Sequence, residues 1–422
     1  MHSVTNAIPT GTIASIPAKA HAHRALICAA LANSPSTILL SRTSKDIDAT
    51  MDSLRGLGAH VVYENKVVTV TPGPVPAKGN VVPHESGTTL RLLLPVAASI
   101  CNDVDVDAKG RLPDRPLEPM LGEMKAHGVT FSQDKPPFTM TGRLQGGNFS
   151  MVGDVSSQFF SGLLLAAPQI GLSTITSTTP LQSSDYVTLT TETMRDFGVE
   201  VEHTLPDTNI NEAFTVPFGA SFIGRDNYQI EGDWSNAAIW MVAAGMTGKP
   251  ITIIGMNKNS VQADRRIMQI MIDAGCDVVW NGMNVTVTGR ASKPIHADLE
   301  QMPDMLPVMA ALACSISGES SFVKGARLRL KESDRLIAVA NLVRDLGGTV
   351  REDGDDLYII GSGILKGGHG DCVNDHRLVM AGTLMALISE NPVTLQDSEA
   401  ITKSYPDFFE DWNLLGGDAH GI

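Results

Sequence analysis

The feature that most constrains the fold of this chain is a repeat of about seventy residues. Six amphipathic segments each end at a glycine, and a short extended run follows most of them. The glycines that end these segments are Gly58, Gly128, Gly198, Gly275, Gly348 and Gly416. Helices that bury one stripe of side chains and stop at glycine are typical of alternating helix and strand units. The period is too long for a solenoid, and six units are too many for one core. The repeat therefore predicts six strand-helix-strand-helix units in two sets of three.

Each period also contains an earlier and more uniformly apolar segment. These segments cover residues 25–32, 90–98, 159–167, 237–244, 306–314 and 378–387. A helix that is apolar on all sides is buried, whereas a helix with one apolar stripe covers a sheet. Each unit is therefore predicted to have one buried helix and one outer helix.

Composition limits the class of protein. The chain has 422 residues, of which 43% are hydrophobic, and its length favours two or three domains. A formal net charge of −14 argues against nucleic acid or an anionic membrane as a partner. Because we find neither an apolar run of bilayer-spanning length nor a secretory leader, we expect a cytoplasmic protein.

The cysteines and histidines do not suggest a metal site. The five cysteines are scattered and odd in number, which favours reduced structural thiols over disulfides. His21 and His23 form a His-x-His pair, but companion ligands at recognisable spacing are missing. We therefore expect no metal.

Cationic residues recur at the predicted starts of helices, although the protein is acidic. They are Lys19, Arg91, Arg115, Lys331, Arg335, Arg377 and Lys403. A helix N-terminus has free N–H groups and a positive dipole end, so cations gather there favourably when an anion binds between them. This pattern predicts a shared cleft for polyanionic small molecules. Asp304 and Glu332 are candidates for proton transfer there, with an ordinary N-cap as the alternative for Asp304.

Several motifs, in one order along nearly the whole chain, resemble the 5-enolpyruvylshikimate-3-phosphate (EPSP) synthase family of enolpyruvyl transferases. The motifs are Pro17-Ala-Lys-Ala-His-Ala-His-Arg24, Glu85-Ser-Gly-Thr-Thr-Leu-Arg91, Arg115-Pro116, Val155-Ser-Ser-Gln158, Pro303-Asp304, Leu330-Lys-Glu-Ser-Asp-Arg-Leu336, Asn374-Asp-His-Arg377 and Lys403-Ser-Tyr-Pro-Asp-Phe408.

The resemblance implies an α/β fold, the two-domain inside-out α/β barrel, with three βαβαββ repeats in each domain. It places residues 17–230 in an N-terminal domain on the shikimate-phosphate side. Residues 1–16 and 231–422 then form a C-terminal domain on the phosphoenolpyruvate side. Closure of the two domains around a shared site would exclude water from the reaction.

The resemblance also implies the reaction and its residues. The enolpyruvyl group of phosphoenolpyruvate would pass to the 5-hydroxyl of shikimate 3-phosphate with release of phosphate, without a metal or organic cofactor, in a monomer. Asp304 would take the proton of the attacking hydroxyl. Glu332 and Lys19 would manage protonation of the methylene carbon. The cations, Lys403 among them, would stabilise charge on the carboxylate and the leaving phosphate, with His376 as a helper. The residues implied for shikimate 3-phosphate are Lys19, Arg24, Ser156, Ser157, Gln158, Ser183, Tyr186, Asp304 and Lys331. Those implied for phosphoenolpyruvate are Lys19, Gly87, Arg115, Gln158, Arg335, Arg377 and Lys403.

One departure from the family pattern keeps two alternatives open. The family usually has serine on both sides of the first lysine, where this chain has Ala18 and Ala20. Loss of a hydrogen bond from the second serine would weaken acceptor binding by about 1 kcal/mol, with His21 as a candidate substitute. The alternatives are an enolpyruvyl transferase with another acceptor, such as a UDP-aminosugar, and a relative that binds ligands without turnover. Against the first, residues 107–113 lack the cysteine typical of that enzyme; against the second, all the charged candidates are present.

Overall fold

The structure is a computed structural model that describes residues 1–207 and 211–422. These residues form two compact units, Pro17–Ile230 and the combination of Met1–Ile16 with Glu231–Ile422. The described residues contain six four-stranded sheets, three in each unit. The α/β class predicted from the sequence is confirmed.

The first unit contains six of the α-helices in the described part of the chain. They are α1 (Lys19–Ala30), α2 (Lys45–Gly56), α3 (Gly87–Ile100), α4 (Met120–Ala126), α5 (Ser157–Ile170) and α6 (Asp185–Asp196). Its strands are β3 (Ser36–Leu39), β4 (His60–Glu64), β5 (Val67–Thr71), β6 (Gly79–Val81), β7 (Asp103–Val106), β8 (Thr130–Phe131), β9 (Phe138–Thr141), β10 (Gly147–Met151), β11 (Ser173–Ser177), β12 (Glu202–Thr204), β13 (Glu212–Val216) and β14 (Tyr228–Gln229).

The second unit has the same composition of elements. Its helices are α7 (Trp234–Thr247), α8 (Ile267–Asp273), α9 (Leu306–Ser315), α10 (Arg335–Asp345), α11 (His376–Ala386) and α12 (Phe408–Leu414). Its strands are β1 (His2–Val4), β2 (Gly11–Ala14), β15 (Ile251–Ile254), β16 (Asp277–Asn281), β17 (Asn284–Thr288), β18 (His296–Asp298), β19 (Gly318–Val323), β20 (Thr349–Asp353), β21 (Asp356–Gly361), β22 (Gly368–Asp371), β23 (Val393–Gln396) and β24 (Ala419–Gly421).

Every sheet is built in the same way. In the sheet ordered β10-β11-β13-β12, the first pair is parallel and the other two pairs are antiparallel. Helix α5 connects the parallel strands, and α6 leads into the antiparallel hairpin. The sheets ordered β6-β7-β9-β8 and β18-β19-β21-β20 repeat this arrangement. The predicted βαβαββ repeat is therefore confirmed.

In the other three sheets, a strand from a distant part of the sequence completes the repeat. Strand β14 lies parallel to β3, and β2 lies parallel to β15. Strand β1 lies between β23 and β24 and pairs antiparallel with both. These long-range pairings tie the ends of each unit's chain segments into its sheets.

The buried helices begin earlier than their apolar patterns indicate. The first helix begins at Lys19 and the third at Gly87, several residues before residues 25 and 90. The polar motif itself forms the first turn, as Ser86 illustrates: its hydroxyl accepts a hydrogen bond of 3.2 Å from the backbone N–H of Thr89. Polar motif residues therefore lie at the helix N-terminus, with free N–H groups beside them.

Each unit has its own hydrophobic core. In the second unit, Trp240 stacks on Trp412 with 5.9 Å between ring centroids. All five cysteines are buried free thiols, and burial raises the pKa of Cys314 to about 12. None of the helices in residues 1–207 and 211–422 combines the length and apolar composition needed to cross a bilayer.

Candidate functional site

Several of the predicted site residues lie at the N-termini of buried helices in both units. Lys19, Gly87 and Ser157 are the first residues of α1, α3 and α5, and His376 is the first residue of α11. Asp304 lies in a short 3-10 helix, Pro303–Met305, directly before α9. Corresponding residues of successive repeats therefore lie at equivalent helix N-termini.

In the first unit, Gly87 and Arg115 touch. The guanidinium of Arg115 lies so close to the Gly87 backbone that a Cβ atom at this position would clash with it. The absence of a side chain therefore lets a cation approach the N-terminus of α3, where backbone N–H groups already favour anions.

Gln158 links α5 to the same region. Its Oε1 accepts a hydrogen bond of 3.1 Å from Nη1 of Arg91, and its Nε2 donates one of 2.9 Å to Oγ1 of Thr88. Arg91 also donates to the backbone oxygen of Pro116 at 3.0 Å, which anchors the loop that carries Arg115. Gln158, Arg91 and Thr88 therefore form one hydrogen-bonded group next to Gly87 and Arg115.

Lys19 forms an ion pair with Asp46, with 2.7 Å between Nζ and Oδ2. Asp46 lies in the first turn of α2, and its backbone oxygen accepts a hydrogen bond from Oγ1 of Thr89 in α3. Asp46 therefore connects Lys19 to the helix that begins at Gly87. Sequence analysis did not identify Asp46, because no motif spacing relates it to a lysine 27 residues away.

Arg24 is 1% exposed and forms hydrogen bonds to several elements of its unit. Its Nε donates to Oγ1 of Thr190, Nη1 to the oxygen of Ala20, and Nη2 to Ser161 Oγ and the oxygen of Tyr186. Burial lowers the pKa of this guanidinium to about 10, so it remains charged at neutral pH. These four contacts fix α1 against α5 and α6. They leave one of the five N–H donors of Arg24 for a ligand.

The predicted phosphate-binding hydroxyls lie at two helix starts. Ser156 caps α5 by accepting from the backbone N–H of Gln158 at 3.3 Å, and Ser157 beside it is buried. Ser183 is also buried and has a left-handed backbone with φ of 53°. Its backbone carbonyl oxygen accepts a hydrogen bond of 3.1 Å from the N–H of Tyr186 at the start of α6. The structure thus places these hydroxyls at the ends of α5 and α6.

His21, which follows Ala20 in α1, contacts strand β14. Nε2 of His21 forms a hydrogen bond of 2.8 Å with the hydroxyl of Tyr228, which in turn donates to Asp196 at 2.8 Å. Burial lowers the pKa of His21 to about 4, so this ring is neutral. The side chain therefore fastens strand β14 to the start of α1.

In the second unit, Asp304 is held by two cations. Its Oδ1 lies 2.6 Å from Nη1 of Arg335 and 3.0 Å from Nζ of Lys331. Burial raises the pKa of Asp304, but Lys331, Arg335 and Arg377 outweigh this effect and hold it well below its usual range. Burial lowers the pKa of Lys331. Asp304 is therefore ionised, with its basicity suppressed by these cations.

Arg335 is the centre of this group of charges. It is 1% exposed, and it also donates to Glu332 at 2.7 Å and to both oxygens of Asp375 at 2.8 and 3.2 Å. Burial lowers the pKa of Arg335, yet Asp375, Glu332 and Asp304 outweigh that effect and raise it. One guanidinium therefore holds three carboxylates together.

Asp375 was not assigned a role from the sequence, although it lies within a quoted motif. It is fully buried, accepts a hydrogen bond of 2.9 Å from Ser333, and caps α11 by accepting from the N–H of Arg377. The signal that marks it is an aspartate directly before a helix that starts with His-Arg, but capping alone explains that pattern.

The remaining predicted residues lie around the start of α11. Arg377 donates from Nη1 to the backbone oxygen of Ser235 at 3.2 Å, and Lys403 donates from Nζ to the oxygen of Asn374 at 2.8 Å. Nδ1 of His376 lies 3.8 Å from Oδ1 of Asp375. The structure therefore brings the predicted residues of the second unit to the N-termini of α9, α10 and α11.

No metal centre is apparent among these groups. In the part of the chain that the structure describes, no three His, Cys, Asp or Glu side chains come together as metal ligands would. The clustered functional groups are cations, carboxylates and hydroxyls. Such groups suit the binding of small anions and proton transfer.

The sequence matches known enzymes over most of its length. The profile of the EPSP synthase family, described as EPSP synthase (3-phosphoshikimate 1-carboxyvinyltransferase), matches residues 7–412. A 3-phosphoshikimate 1-carboxyvinyltransferase of Clostridium kluyveri is 36% identical, over 97% of this chain and 95% of that protein. One of Methanocorpusculum labreanum is 34% identical, over 97% of both chains.

The fold also matches a solved structure. An EPSP synthase from Acinetobacter baumannii superposes with a TM-score of 0.80 over 99% of each chain, at 23% sequence identity. At this identity the likeness shows the fold alone. The sequence matches and this likeness agree on the same fold.

Proposed function

Because this chain belongs to the EPSP synthase family, we propose that it transfers the enolpyruvyl group of phosphoenolpyruvate to the 5-hydroxyl of shikimate 3-phosphate and releases phosphate. The observation that best supports this activity is the buried Arg335, which holds Asp304 and Glu332 in one cluster. An addition and elimination reaction of this kind needs groups that exchange protons and fixed cations, and this cluster contains carboxylates and cations suited to both tasks.

We assign phosphoenolpyruvate to the cations and to the helix end at Gly87. Its carboxylate suits the guanidinium groups of Arg335 and Arg377, because arginine binds carboxylates through paired N–H donors. Its phosphate suits Arg115 beside the open backbone of Gly87. The other groups assigned to this substrate are Lys19, Gln158 and Lys403.

Shikimate 3-phosphate is assigned to the hydroxyls at the starts of α5 and α6. Ser156, Ser157 and Ser183 would hold its phosphate, with Lys331 as the cation. Arg24, Gln158 and Tyr186 would hold the rest of the molecule, and Asp304 would contact the reacting hydroxyl. We also propose that the units Pro17–Ile230 and Met1–Ile16 with Glu231–Ile422 are the two domains of the family.

The acid-base steps follow from the charges around Arg335. A substrate carboxylate at this guanidinium would compete with Asp304 and Glu332 for its N–H donors. Loss of these contacts would raise the pKa of Asp304, since cations hold it low. Asp304 would then accept the proton of the attacking hydroxyl. Glu332 or Lys19 would deliver a proton to the methylene carbon and take one back from the resulting methyl group as phosphate leaves, which restores the double bond. His376 and Lys403 would stabilise charge on the leaving phosphate.

Finer parts of the proposal concern the setting of the enzyme. We propose a cytoplasmic monomer that does not bind nucleic acid, in keeping with its formal net charge of −14. Sedimentation velocity at micromolar concentration is the direct measurement. A single species near the chain mass of 44.9 kDa is expected, and a species of twice that mass would overturn the monomer.

The activity is tested by phosphate release from the purified protein. We expect release only when phosphoenolpyruvate and shikimate 3-phosphate are both present, and loss of release in Asp304→Ala. Release with a UDP-aminosugar in place of shikimate 3-phosphate would support the transferase with the other acceptor. Binding of shikimate 3-phosphate without phosphate release would identify a relative that does not turn over.

Restoring the serine that the family usually has is expected to improve acceptor binding. Ala20 is partly exposed in the first turn of α1, so Ala20→Ser adds a hydroxyl without filling a packed core. One hydrogen bond is worth about 1 kcal/mol, which corresponds to a roughly fivefold lower KM for shikimate 3-phosphate. Ala18→Ser is the matched control, because Ala18 is buried, and its KM should not fall. An unchanged KM in Ala20→Ser would contradict this role.

A further inference from the structure

A buried carboxylate that the mechanism above does not use lies beside Arg377. Asp264, in the 3-10 helix Ala263–Arg266, is 1% exposed. Its Oδ2 accepts a hydrogen bond from the hydroxyl of Ser235. Its Oδ1 is buried and has no hydrogen-bond partner in the part of the chain that the structure describes. A buried carboxylate with one oxygen unsatisfied is costly to ionise, so its presence calls for a reason.

Ser235 connects this carboxylate to a predicted substrate cation. Its hydroxyl bonds to Asp264, while its backbone oxygen accepts the 3.2 Å hydrogen bond from Nη1 of Arg377. Arg377 is itself buried, and its Nε has no hydrogen-bond partner among the described residues. The guanidinium is therefore held at one nitrogen, with other N–H groups left for an anion.

The charges that face Asp264 come from three other elements. Arg377 of α11 attracts its negative charge, whereas Asp304 before α9 and Asp233 before α7 repel it. Burial is the largest effect, and together with these aspartates it raises the pKa of Asp264 to about 6. The carboxyl therefore changes charge close to neutral pH, unlike an ordinary aspartate.

We propose that Asp264 is a further residue of the anion site at Arg377, and that its carboxylate takes up one proton when the substrate carboxylate binds there. The proton comes from solvent, and the carboxylate becomes a neutral carboxylic acid. The reason is electrostatic: an anion at Arg377 occupies the cation that offsets Asp264 and adds a negative charge near it. Proton uptake removes that repulsion, and by linkage the affinity for the anion falls as the pH rises.

This inference rests on the proposed function only for the identity of the anion, phosphoenolpyruvate. Its kinetic test is the KM for phosphoenolpyruvate from pH 5.5 to 8, at saturating shikimate 3-phosphate, in the wild type and in Asp264→Asn. The substrate phosphate titrates in the same range and affects both proteins alike, so the ratio of the two KM values isolates Asp264. We expect the ratio of wild-type to variant KM to be near one at pH 5.5 and at least about fivefold at pH 8, with a limit of about tenfold per pH unit for one proton. A ratio that is constant across this range would overturn the proposal.

Two further variants sharpen the test. Ser235→Ala removes the hydroxyl that stabilises the carboxylate but keeps the backbone oxygen that holds Arg377. It should raise the pKa of Asp264 further, so the increase in KM with pH should begin at a higher pH than in the wild type. An unchanged onset would contradict the proposal, even if Asp264→Asn failed to fold. Asp273→Asn, at an exposed aspartate of α8, is the matched control and should give a flat KM ratio.

A second readout does not depend on activity and separates this role from a purely structural one. A carboxylate with a raised pKa destabilises the folded protein fully above that pKa, and the cost disappears only below the pKa of an unfolded aspartate, about 3.9. Asp264→Asn should therefore unfold at a higher urea concentration than the wild type at pH 8, and the gap between the two midpoints should be clearly smaller at pH 4.5. Lower stability of the variant at pH 8 would mean that Asp264 is a structural ion, and would overturn the proposal. If phosphate release failed in the wild type, the proposed function would fail while this measurement still stood.

Discussion

Replacing Asp304 with asparagine is expected to lower kcat by about 10²- to 10⁴-fold, the usual contribution of a general base. Asparagine has nearly the same shape and still accepts hydrogen bonds from Lys331 and Arg335, but it cannot take a proton from the attacking hydroxyl. The KM for phosphoenolpyruvate should change much less than kcat, because the cations that bind this substrate remain. Steady-state phosphate release with both substrates varied separates the two parameters.

The control for this variant is another aspartate of the same unit. Asp298 is about half exposed, and its carboxylate forms an ion pair of 2.6 Å with Lys324. Asp298→Asn removes one negative charge from the same unit, so kcat should stay within about twofold of the wild type if only the base matters. A kcat of Asp304→Asn within tenfold of the wild type would mean that a different group takes the proton.

Replacing Arg335 with methionine is expected to destabilise the second unit by about 3–5 kcal/mol, the typical cost of breaking a buried ion pair. The change leaves Asp304, Glu332 and Asp375 close together, with Asp375 fully buried, and without the cation that neutralises them. Methionine fills a similar volume, so the loss reflects uncompensated charge more than a cavity. Activity should be lost as well, because the same guanidinium is assigned to the substrate carboxylate.

The four tryptophans make this measurement specific. Trp234, Trp240, Trp280 and Trp412 all lie in the unit formed by Met1–Ile16 and Glu231–Ile422, so their fluorescence reports on the unfolding of that unit. Arg344→Met, at an exposed arginine of the same helix α10 paired with Glu352, is the control and should cost no more than about 1 kcal/mol. An unfolding midpoint of Arg335→Met equal to that of the control would refute the central role of Arg335.

The pH dependence of this loss follows from the pKa of Asp304. Cations, Arg335 among them, hold the pKa of Asp304 below its usual range, so the carboxylate adds stability above the pKa of an unfolded aspartate. That stability is lost as the pH falls through the lower folded value. The difference between Arg335→Met and the wild type should therefore be largest at neutral pH and shrink in acid, where the remaining carboxylates of the variant become protonated.

Sequence reasoning identified the ends of the helices better than their partners. The motifs around Lys19 and Gly87 are contiguous, so the pattern of apolar and polar residues marks them directly. The partners of the site residues were missed. Asp46, which pairs with Lys19, is 27 residues away from it, and Ser235, whose backbone oxygen accepts a hydrogen bond from Arg377, is 142 residues away from it. Their contacts form only when different helices pack, so spacing along one helix contains no trace of them.

The predicted length of the helices was short for a related reason. Apolar periodicity detects the part of a helix that packs in the core, whereas the first turn of α1 and of α3 is polar. Capping and free N–H groups make such a turn stable without apolar contacts. The polar motifs that looked like turns before the helices are therefore their first turns.

What the sequence determined by itself was the repeated α/β unit, the family and the residue types of the site, because apolar periodicity and contiguous motifs are local properties of a chain. The tertiary structure decided which strands complete which sheets, as β1, β2 and β14 do from distant positions. It also decided the charge state of each acid. Asp264 and Asp304 both lie in short 3-10 helices. Burial raises the pKa of Asp264, whereas neighbouring cations lower the pKa of Asp304. Desolvation and Coulomb interactions depend on distances in space, and only folding sets these distances.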